Sequence, residues 1–359
     1  MKIIIGGAGI AGLSLANFFE QNSIDYLILE KRTLLDDLAT GIQIAPNSHH
    51  VLKKLNVFKD IKHISKSSSE LFLYDHEAKH INSIDITNDK GEAPFFLERK
   101  ALIKTLRNKI PDNRILNNVD VNQVKCFKEK IKLETNDKKF ECNYFFNSFG
   151  YHDSNTFFES NAFAIWGISS YEHEIFQKLN LFMNHNFHLV TYPLKNKGTA
   201  FTISVSKDIG RLILNDKFNK SFLQKLPVYL KNLLLYSKDP IVRKLKYSKS
   251  INWGKFNQIN LGDAAHLMLP HLAQGASQAF IDADIVSQLF QQHSCDEIRK
   301  ILCTRNKFLN RIIHNAEMNR IIFQLNPILS SFRNTFLKLY KPRYKWLYNS
   351  DHEIKRKFK

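Results

Sequence analysis

Apolar and polar positions at the start of the chain follow first a strand period and then a helical one. Residues 2–6 form a continuous β-branched run that ends in glycine, which predicts a buried strand. Residues 9–22 carry apolar side chains at helical spacing, and residues 25–30 predict a second strand. Because a crossover helix joins parallel strands of one sheet, we interpret this opening as a βαβ unit.

Farther along, the pattern becomes strand-rich and then helical. Helices are predicted at 47–55 and 100–109, short strands within 114–141, and a buried strand at 144–148. Residues 156–250 are mostly strand-like, apart from a helical stretch at 220–235. Strand, glycine and helix follow one another again near residue 259, and helical spacing prevails from residue 275 onward. This order predicts a nucleotide-binding domain interrupted by a sheet-bearing insertion.

A glycine-rich turn connects the first strand to the first helix. Residues 7–12 match GxGxxG, in which Gly7 permits a tight turn, Gly9 admits a pyrophosphate and Gly12 lets helix and strand pack closely. Glu30 ends the second strand, where its carboxylate can accept hydrogen bonds from an adenosine ribose. The pattern predicts a dinucleotide site without distinguishing FAD from NAD. Its expected contacts are Gly7, Gly9, Ile10, Ala11, Gly12, Glu30 and Lys31.

A second motif occupies residues 260–284, NLGDAAHLMLPHLAQGASQAFIDAD. A helix is predicted to begin at 274–276, where unpaired backbone amides favour a negative charge such as that of a reduced flavin. The segment resembles the GDAAHxxxPxxGQG motif of FAD-dependent aromatic hydroxylases, the class that contains p-hydroxybenzoate and salicylate hydroxylases. The resemblance implies that Asp263 binds the flavin ribitol, Pro270 lines the isoalloxazine, and Gly275 opens a helix directed at the flavin pyrimidine.

Three further segments carry the same resemblance. Residues 40–48, TGIQIAPNS, look like the family's GIQLSPNA segment, which approaches the flavin. Residues 98–102, ERKAL, look like its HRADL segment, whose arginine contacts FAD. Residues 188–194, HLVTYPL, look like a substrate-domain strand of the salicylate and urate hydroxylase branch. The flavin contacts implied by the resemblance are Gly41, Arg99, Gly262, Asp263, Pro270, Gln274, Gly275, Ala276 and Ser277.

The candidate catalytic residues are Tyr192, His266 and Pro270. Tyr192 is a candidate hydrogen-bond donor to the substrate, and the alternative is a tyrosine of the core. His266 is a candidate acid–base group, and the alternative is a structural histidine that orients its loop. No cluster of cysteine and histidine has the spacing of metal ligands, so no metal site is predicted.

The sequence departs from the family at four positions. Phe149 stands where the family has an aspartate implicated in FAD and nicotinamide binding, with Asp153 close by. Trp166 is not followed by the branch's arginine, and Phe201 aligns roughly with a strand asparagine. Ala273 replaces the first glycine of GQG. These changes predict weak nicotinamide binding and a more apolar substrate pocket.

The predicted fold class is α/β, with a Rossmann-like FAD/NAD(P)-binding domain, an inserted mixed or antiparallel sheet domain for the substrate, and C-terminal helices. The predicted boundaries place the discontinuous FAD-binding domain at 1–75, 95–155 and 251–310, the substrate domain at 76–94 and 156–250, and a C-terminal helical region with a basic tail at 311–359.

The resemblance implies hydroxylation of a small aromatic substrate with FAD as cofactor, NAD(P)H as co-substrate and O₂, through a flavin C4a-hydroperoxide. Three alternatives stay open: a membrane-associated hydroxylase of a quinone precursor, a flavin-dependent reductase of double bonds, and a flavin-binding protein with little or no turnover.

The amino-acid composition bears on the partners of the protein and on its cellular location. The formal charge is +18, from lysines that are mostly scattered, so no nucleic-acid partner is expected. The exception is the tail, where Lys355, Arg356, Lys357 and Lys359 favour weak contact with a membrane surface. The four cysteines form no CxxC pair, and no signal peptide or transmembrane segment is expected. We therefore expect a cytoplasmic protein.

Overall fold

The structure is a computed structural model that describes residues 2–33, 40–150, 157–195, 198–210, 218, 220–224 and 226–349. Its strands are β1 Ile3–Gly6, β2 Leu27–Leu29, β3 Gly41–Ile44, β4 Lys66–Ser67, β5 Glu70–Tyr74, β6 His80–Asp85, β7 Phe95–Glu98, β8 Ile115–Leu116, β9 Val121–Cys126, β10 Ile131–Thr135, β11 Lys139–Cys142, β12 Tyr144–Asn147, β13 Phe157–Ser169, β14 Leu179–Asn184, β15 Phe187–Pro193, β16 Thr199–Ser206, β17 Ile241–Ser248 and β18 Gln258–Asn260.

The α-helices alternate with these strands at first and then succeed them. They are α1 Ile10–Gln21, α2 His49–Lys54, α3 Phe58–Ile64, α4 Arg99–Arg107, α5 Lys220–Leu223, α6 Val228–Leu235, α7 Asp263–His266, α8 Gly275–Leu289, α9 Cys295–Cys303, α10 Asn306–Phe323, α11 Pro327–Leu339 and α12 Lys345–Tyr348. The helical stretch predicted at 220–235 contains two helices, and Pro227 precedes the second one because proline is excluded from a helix interior.

A parallel sheet with the strand order β18-β12-β1-β2-β8 forms the nucleotide-binding part. Its central strand β1 is a run of isoleucines that is buried on both faces, as expected when helices cover both sides. The helix α1 lies against α8, so the first and second motifs belong to neighbouring helices. The sheet confirms the predicted α/β class with a Rossmann-like opening.

A mixed sheet of seven strands, in the order β17-β13-β16-β15-β14-β5-β6, forms the second part. All its strand pairs are antiparallel except β14 with β5. Most of this sheet comes from the predicted insertion at 156–250, and the separate mixed sheet confirms that part of the fold prediction. The domain boundaries stay a prediction; β5 begins at Glu70, ahead of the proposed boundary at residue 76.

Alternation along the strands gives this sheet two different faces. On one face Phe163, Ile165 and Phe201 pack under α6 in a separate apolar cluster. On the other, Ala164 and Tyr192 join the main core shared with the parallel sheet. A site between the two sheets therefore has to lie on the face that carries Ala164 and Tyr192.

In the part of the chain that the structure describes, every helix is too short or too polar to span a bilayer.

Candidate active site

The turn after β1 has the geometry of a dinucleotide-binding loop. Gly7 has φ of +94°, a conformation that residues with a side chain rarely adopt, and its N–H donates to the Leu29 carbonyl at 2.8 Å. Ser148 completes the turn by donating its hydroxyl to the Gly6 carbonyl at 2.7 Å. The loop is thus tied to the carboxyl ends of β2 and β12, the edge at which open α/β sheets bind ligands.

Gly9 and Gly12 serve opposite purposes in this loop. A Cβ added at Gly12 would lie 2.0 Å from the Gly7 carbonyl oxygen and 2.6 Å from Ser148 Oγ, so only glycine lets α1 approach the turn. A Cβ added at Gly9 would meet no atom within 4 Å. Close packing explains the glycine at position 12, and open space beside the loop explains the glycine at position 9, as the fingerprint predicts.

Glu30 has a second role that the sequence did not indicate. Its carboxylate accepts hydrogen bonds from the Ala8 N–H at 2.7 Å and from the Arg32 N–H at 2.9 Å. It therefore lies beside the glycine loop, as predicted, and also holds that loop in shape. Ile10 and Ala11 have buried side chains, which leaves only their backbone for a ligand, whereas Lys31 is exposed.

The second motif meets the first one directly. Gly262 has φ of +58°, and a Cβ placed on it would lie 3.4 Å from Cβ of Ala11. Asp263 follows as the first residue of α7, and its Oδ1 lies 3.8 Å from the position of a Cβ added at Gly275. The glycine loop and the starts of α7 and α8, which both belong to the second motif, thus converge on one region.

Asp263 keeps accessible surface although protein surrounds it on most sides, as a group on the floor of a cleft does. Burial raises the pKa of the Asp263 carboxyl, and the positive charge of Arg99 opposes that rise. Arg99 begins α4 and donates its backbone N–H to the Thr40 carbonyl at 2.9 Å, next to Gly41. Two predicted flavin contacts, Asp263 and Arg99, are therefore neighbours.

A buried charged network lies directly behind α7. His266 Nε2 and Asp282 Oδ2 are 2.7 Å apart, and Arg305 is paired with the other oxygen of Asp282. Asp282 also accepts the Gly262 N–H at 2.8 Å. Burial alone would raise the pKa of the Asp282 carboxyl, but His266 and Arg305 outweigh it and hold that pKa below its usual value. His266 is itself buried, which is the geometry of the predicted alternative, a histidine that orients its loop.

The start of α8 is anchored by side chains. Gln274 is the N-cap and accepts at Oε1 from Asn47 and from Gln278, both at 2.9 Å. Ser277 Oγ accepts the Ala45 N–H at 2.9 Å, so the Ser277 side chain joins α8 to the segment after β3. Among the described residues, Gln274 Nε2 is buried without a hydrogen-bond partner. Gly275 and Ala276 remain partly exposed at the helix start.

Ala273 lies in the turn between Pro270 and α8 with φ of 51° and ψ of 38°. This is the left-handed region, which the family's glycine adopts freely and which costs an alanine about 1–2 kcal/mol. Pro270 opens the preceding 3₁₀ turn and stays partly exposed, as a residue lining a ring would. The turn before α8 therefore carries backbone strain at Ala273.

Tyr192 lies on the face of the mixed sheet that meets the nucleotide-binding part. A Cβ added at Gly41 would be 2.7 Å from its hydroxyl, and its ring centroid is 5.3 Å from that of Phe96. Burial raises the pKa of the Tyr192 hydroxyl. Within the described residues that hydroxyl makes no hydrogen bond, and the side chain is buried against Gly41 and Phe96.

The neighbours of Tyr192 differ from those the sequence suggested. Trp166 is opposite Thr202, which is opposite Val190, and these three partly exposed side chains lie on the same face as Tyr192. Phe201, expected near the substrate, points to the other face and packs against Gly167. A shift of one residue in the sequence alignment of a strand moves each aligned side chain to the opposite face of the sheet.

A polar cluster on this same face was missed altogether. His271 Nε2 lies 3.2 Å from Ser204 Oγ, and its Nδ1 lies 3.0 Å from the Ala316 carbonyl oxygen. His188 stacks edge-on against it at 4.9 Å, with Gln324 at 3.0 Å from His188 Nδ1. Burial lowers the pKa of both rings, that of His271 to about 4. Only the position of His271 beside Pro270 could have signalled the cluster.

Phe149 fills the place of the family's aspartate with an aromatic ring directed inward. Its ring carbons lie 2.7 Å from the position of a Cβ added at Gly6, and its centroid is 5.8 Å from that of Phe145. Packing there requires Gly6, so the substitution is accommodated by the structure. Asp153 lies outside the described residues, as do Lys355, Arg356, Lys357 and Lys359 of the tail.

No protein-family model matches the chain. The FAD-dependent monooxygenase adrH of Penicillium rubens is 22% identical in an alignment of 347 positions that covers 89% of this chain and 70% of that protein. The 3-hydroxybenzoate 6-hydroxylase 1 of Aquipseudomonas alcaligenes is 24% identical in an alignment of 319 positions that covers 79% of this chain and 78% of that protein. Both alignments extend far beyond the glycine loop, so the similarity includes the mixed sheet.

Solved structures resemble the whole chain. HpxO of Klebsiella pneumoniae complexed with FAD superposes with a TM-score of 0.83 at 16% identity and covers 99% of this chain and 98% of its own. A complex of HpxO with FAD and uric acid gives a TM-score of 0.81. A salicylate hydroxylase substrate complex gives 0.75 at 16% identity, covering 99% and 97% of the two chains. At this identity the likeness establishes the fold.

Proposed function

We propose that this chain, a homologue of the FAD-dependent monooxygenases with the fold of the p-hydroxybenzoate hydroxylase-like flavin hydroxylases, binds one FAD non-covalently and hydroxylates an aromatic substrate. The observation that carries the proposal is the meeting of two motifs about 250 residues apart in the sequence, with Gly262 beside Ala11 of the glycine loop. A dinucleotide site alone would need the first motif only.

The residues present fit FAD. The space beside Gly9 admits a diphosphate, and the first turn of α1 directs free amides toward it. Glu30 is placed to accept ribose hydroxyls, and Asp263 has an accessible carboxylate for ribitol hydroxyls. The N-terminus of α8, whose first amides have no intrahelical partner, would stabilise negative charge at the pyrimidine end of the ring system.

The redox chemistry, in which electrons from NAD(P)H activate O₂ for transfer of one oxygen atom to an aromatic ring, is supplied by FAD when it is bound. The protein's part is to position the ring and to exclude water. Trp166, Val190 and Thr202 offer an apolar wall with one hydroxyl, and Tyr192 donates a hydrogen bond. Such a wall suits a neutral or weakly acidic aromatic better than a small anionic one.

Nicotinamide is proposed to bind only transiently. Among all residues of the chain, GxGxxG occurs once, so a second dinucleotide domain is not expected. Phe149 removes the acidic side chain that the resemblance assigns to nicotinamide binding, which predicts weak affinity for NAD(P)H. The same substitution is the observation that favours the second candidate, a flavin-binding protein with little or no monooxygenase turnover.

The test begins with the absorbance spectrum of the purified protein and titration of FAD. Asp263→Asn should weaken FAD binding by roughly 10- to 150-fold, as expected when a hydrogen bond to a charged group is lost. Asp60→Asn, at an exposed position of α3, is the matched control and should bind FAD normally. A protein that stays colourless and takes up no FAD would refute the cofactor proposal.

Turnover is tested by NAD(P)H oxidation and oxygenated product across phenols, aromatic acids, purines and quinone precursors. Tyr192→Phe should raise KM for the best substrate about 2- to 10-fold, because a neutral hydrogen bond is lost, and should leave FAD content and folding unchanged. Salicylate as the best substrate would contradict the apolar pocket. FAD binding without substrate-dependent NAD(P)H oxidation would favour the second candidate.

A further inference from the structure

Helix α11, Pro327–Leu339, presents an apolar stripe to solvent. Ile328, Phe332, Phe336 and Leu339 are spaced as one helical face, and they are 74%, 72%, 57% and 85% exposed. Tyr340 continues the stripe, with its ring 5.2 Å from that of Phe336. Single exposed apolar residues are ordinary, but a continuous stripe of large ones marks an interaction surface.

The stripe is exposed although the opposite face of α11 is well anchored. The Arg333 guanidinium is buried and donates to the Ile322 and Phe323 carbonyls at the end of α10, at 2.9 and 3.2 Å. Leu337 packs with Leu73 and Ile81 of the mixed sheet, and its carbonyl accepts from Asn82 at 2.8 Å. The helix cannot turn the stripe inward without breaking these contacts.

The positive charge beside the apolar stripe favours an anionic binding partner. From Met318 to Ser350 the sequence contains no aspartate or glutamate, whereas lysine and arginine recur. Lys338, Lys341, Arg343 and Lys345 lie exposed at the C-terminal end of the stripe. Lys345 is paired with Asp89 at 2.9 Å, and Asp85 lies beside these cations, so the net charge there is positive. Apolar side chains flanked by cations on one surface helix are the features of a segment that lies in the interface of an anionic bilayer.

A second copy of the chain fits this surface less well. Paired copies normally meet through the same surface patch, which would place the lysines and arginines of one copy opposite those of the other. Nucleic acid would match the charge but leave the apolar stripe uncovered. Because α11 has 13 residues, about 20 Å of helix, it is too short to cross a bilayer and can only lie on its surface.

We propose that the outer face of α11, with Lys338, Lys341 and Arg343, docks the protein on an anionic membrane surface. The tail at 355–359, for which the sequence predicts such contact, lies outside the described residues, and α11 is a separate, folded element. Since α11 packs on β6, docking would bring the mixed sheet that carries the proposed substrate face close to the membrane.

The test is flotation with vesicles of phosphatidylcholine alone and of phosphatidylcholine with phosphatidylserine, at low and high salt, using the full chain loaded with FAD. Wild type should float with the anionic vesicles and detach as salt rises. Phe332→Glu with Leu339→Glu should abolish binding. The matched control is Val228→Glu with Leu235→Glu, on exposed apolar positions of α6, which should bind as wild type does.

The electrostatic part is tested separately. Lys338→Gln with Lys341→Gln should weaken binding about 30-fold, because each cation near an anionic leaflet adds about 1 kcal/mol. Lys59→Gln with Lys62→Gln, on α3, is the control of equal charge. FAD content and thermal unfolding report whether each variant folds. Equal flotation of the Phe332 and α6 variants would overturn the proposal, and so would a wild-type dimer that the Phe332 variant converts to monomer without any vesicle binding.

Discussion

The glycine loop and the sheet face around Tyr192 are two parts of the proposed site that are built in different ways. In the loop, backbone groups and missing side chains define the geometry, with Gly12 closing the packing and Gly9 leaving space. On the sheet face, side chains define it, and each depends on the register of its strand. The loop therefore tolerates few sequences, whereas the face can change its chemistry without changing its fold.

The largest expected effect comes from the charged network that supports the loop side. Arg305→Met removes the arginine partner of the buried Asp282 and leaves it His266 and the Gly262 N–H, which should lower the free energy of unfolding by about 3–5 kcal/mol. Lys79→Met breaks the exposed pair with Glu77 and should have no measurable effect. Urea unfolding compares the two. If Arg305→Met and Lys79→Met lower the free energy of unfolding by similarly small amounts, the network of Asp282, His266 and Arg305 does not stabilise the region behind α7.

The two glycines provide the sharpest contrast within the loop. Gly12→Ala should lower the free energy of unfolding by about 3 kcal/mol, because the new methyl group meets backbone at 2.0 Å. Gly9→Ala should leave cofactor-free stability unchanged and weaken FAD binding, because its methyl group enters only the space beside the loop. Unfolding of the apoprotein and FAD titration separate these effects. Normal FAD affinity of the Gly9 variant would place the diphosphate elsewhere.

Acid should destabilise the protein through two buried histidines. Burial lowers the pKa of His49, the first residue of α2, and of His271, on the substrate face, to about 4 from 6.5. Above pH 6.5 each histidine is neutral in the folded and in the unfolded protein, and the free energy of unfolding is at its full value. Below pH 6.5 the histidine of the unfolded protein binds a proton first, so the free energy of unfolding falls until about pH 4. Between pH 7 and pH 5 each histidine should lower the free energy of unfolding by about 2 kcal/mol. His49→Gln and His271→Gln should each remove that share of the pH dependence, as urea unfolding at both pH values would show.

The smallest expected effect lies at Ala273, where the two regions join. Ala273→Gly relieves the left-handed strain and should raise the free energy of unfolding by about 1 kcal/mol. Ala101→Gly, inside α4, should lower it by a similar amount, since glycine weakens a helix interior. A loss of stability in both variants would mean that the turn is not strained.

The local geometry of the glycine loop could be predicted because each residue type there has one physical use. The turn at Gly7 and the close packing at Gly12 agree with the fingerprint, the Glu30 carboxylate lies beside the loop, and the relatives support the family resemblance, while the FAD contacts of these residues stay a prediction. Prediction from the sequence failed where geometry depends on distant pairing. Phe201 was placed on the wrong face, and the cluster of His188 and His271 was missed because their meeting depends on the packing of β15 against the segment before α8.

The position of Glu30 has a consequence for how the cofactor would enter. Its carboxylate accepts one amide of the glycine loop, that of Ala8, and the amide of Arg32 after β2, so the protein carries an internal substitute for ligand oxygens that keeps the loop in its binding shape. Association then exchanges one set of hydrogen bonds for another and orders little additional chain. Because the entropy of loop ordering is lost during folding, it need not be lost again on binding. A preformed loop of this kind raises the affinity for the cofactor by lowering the entropic cost of association.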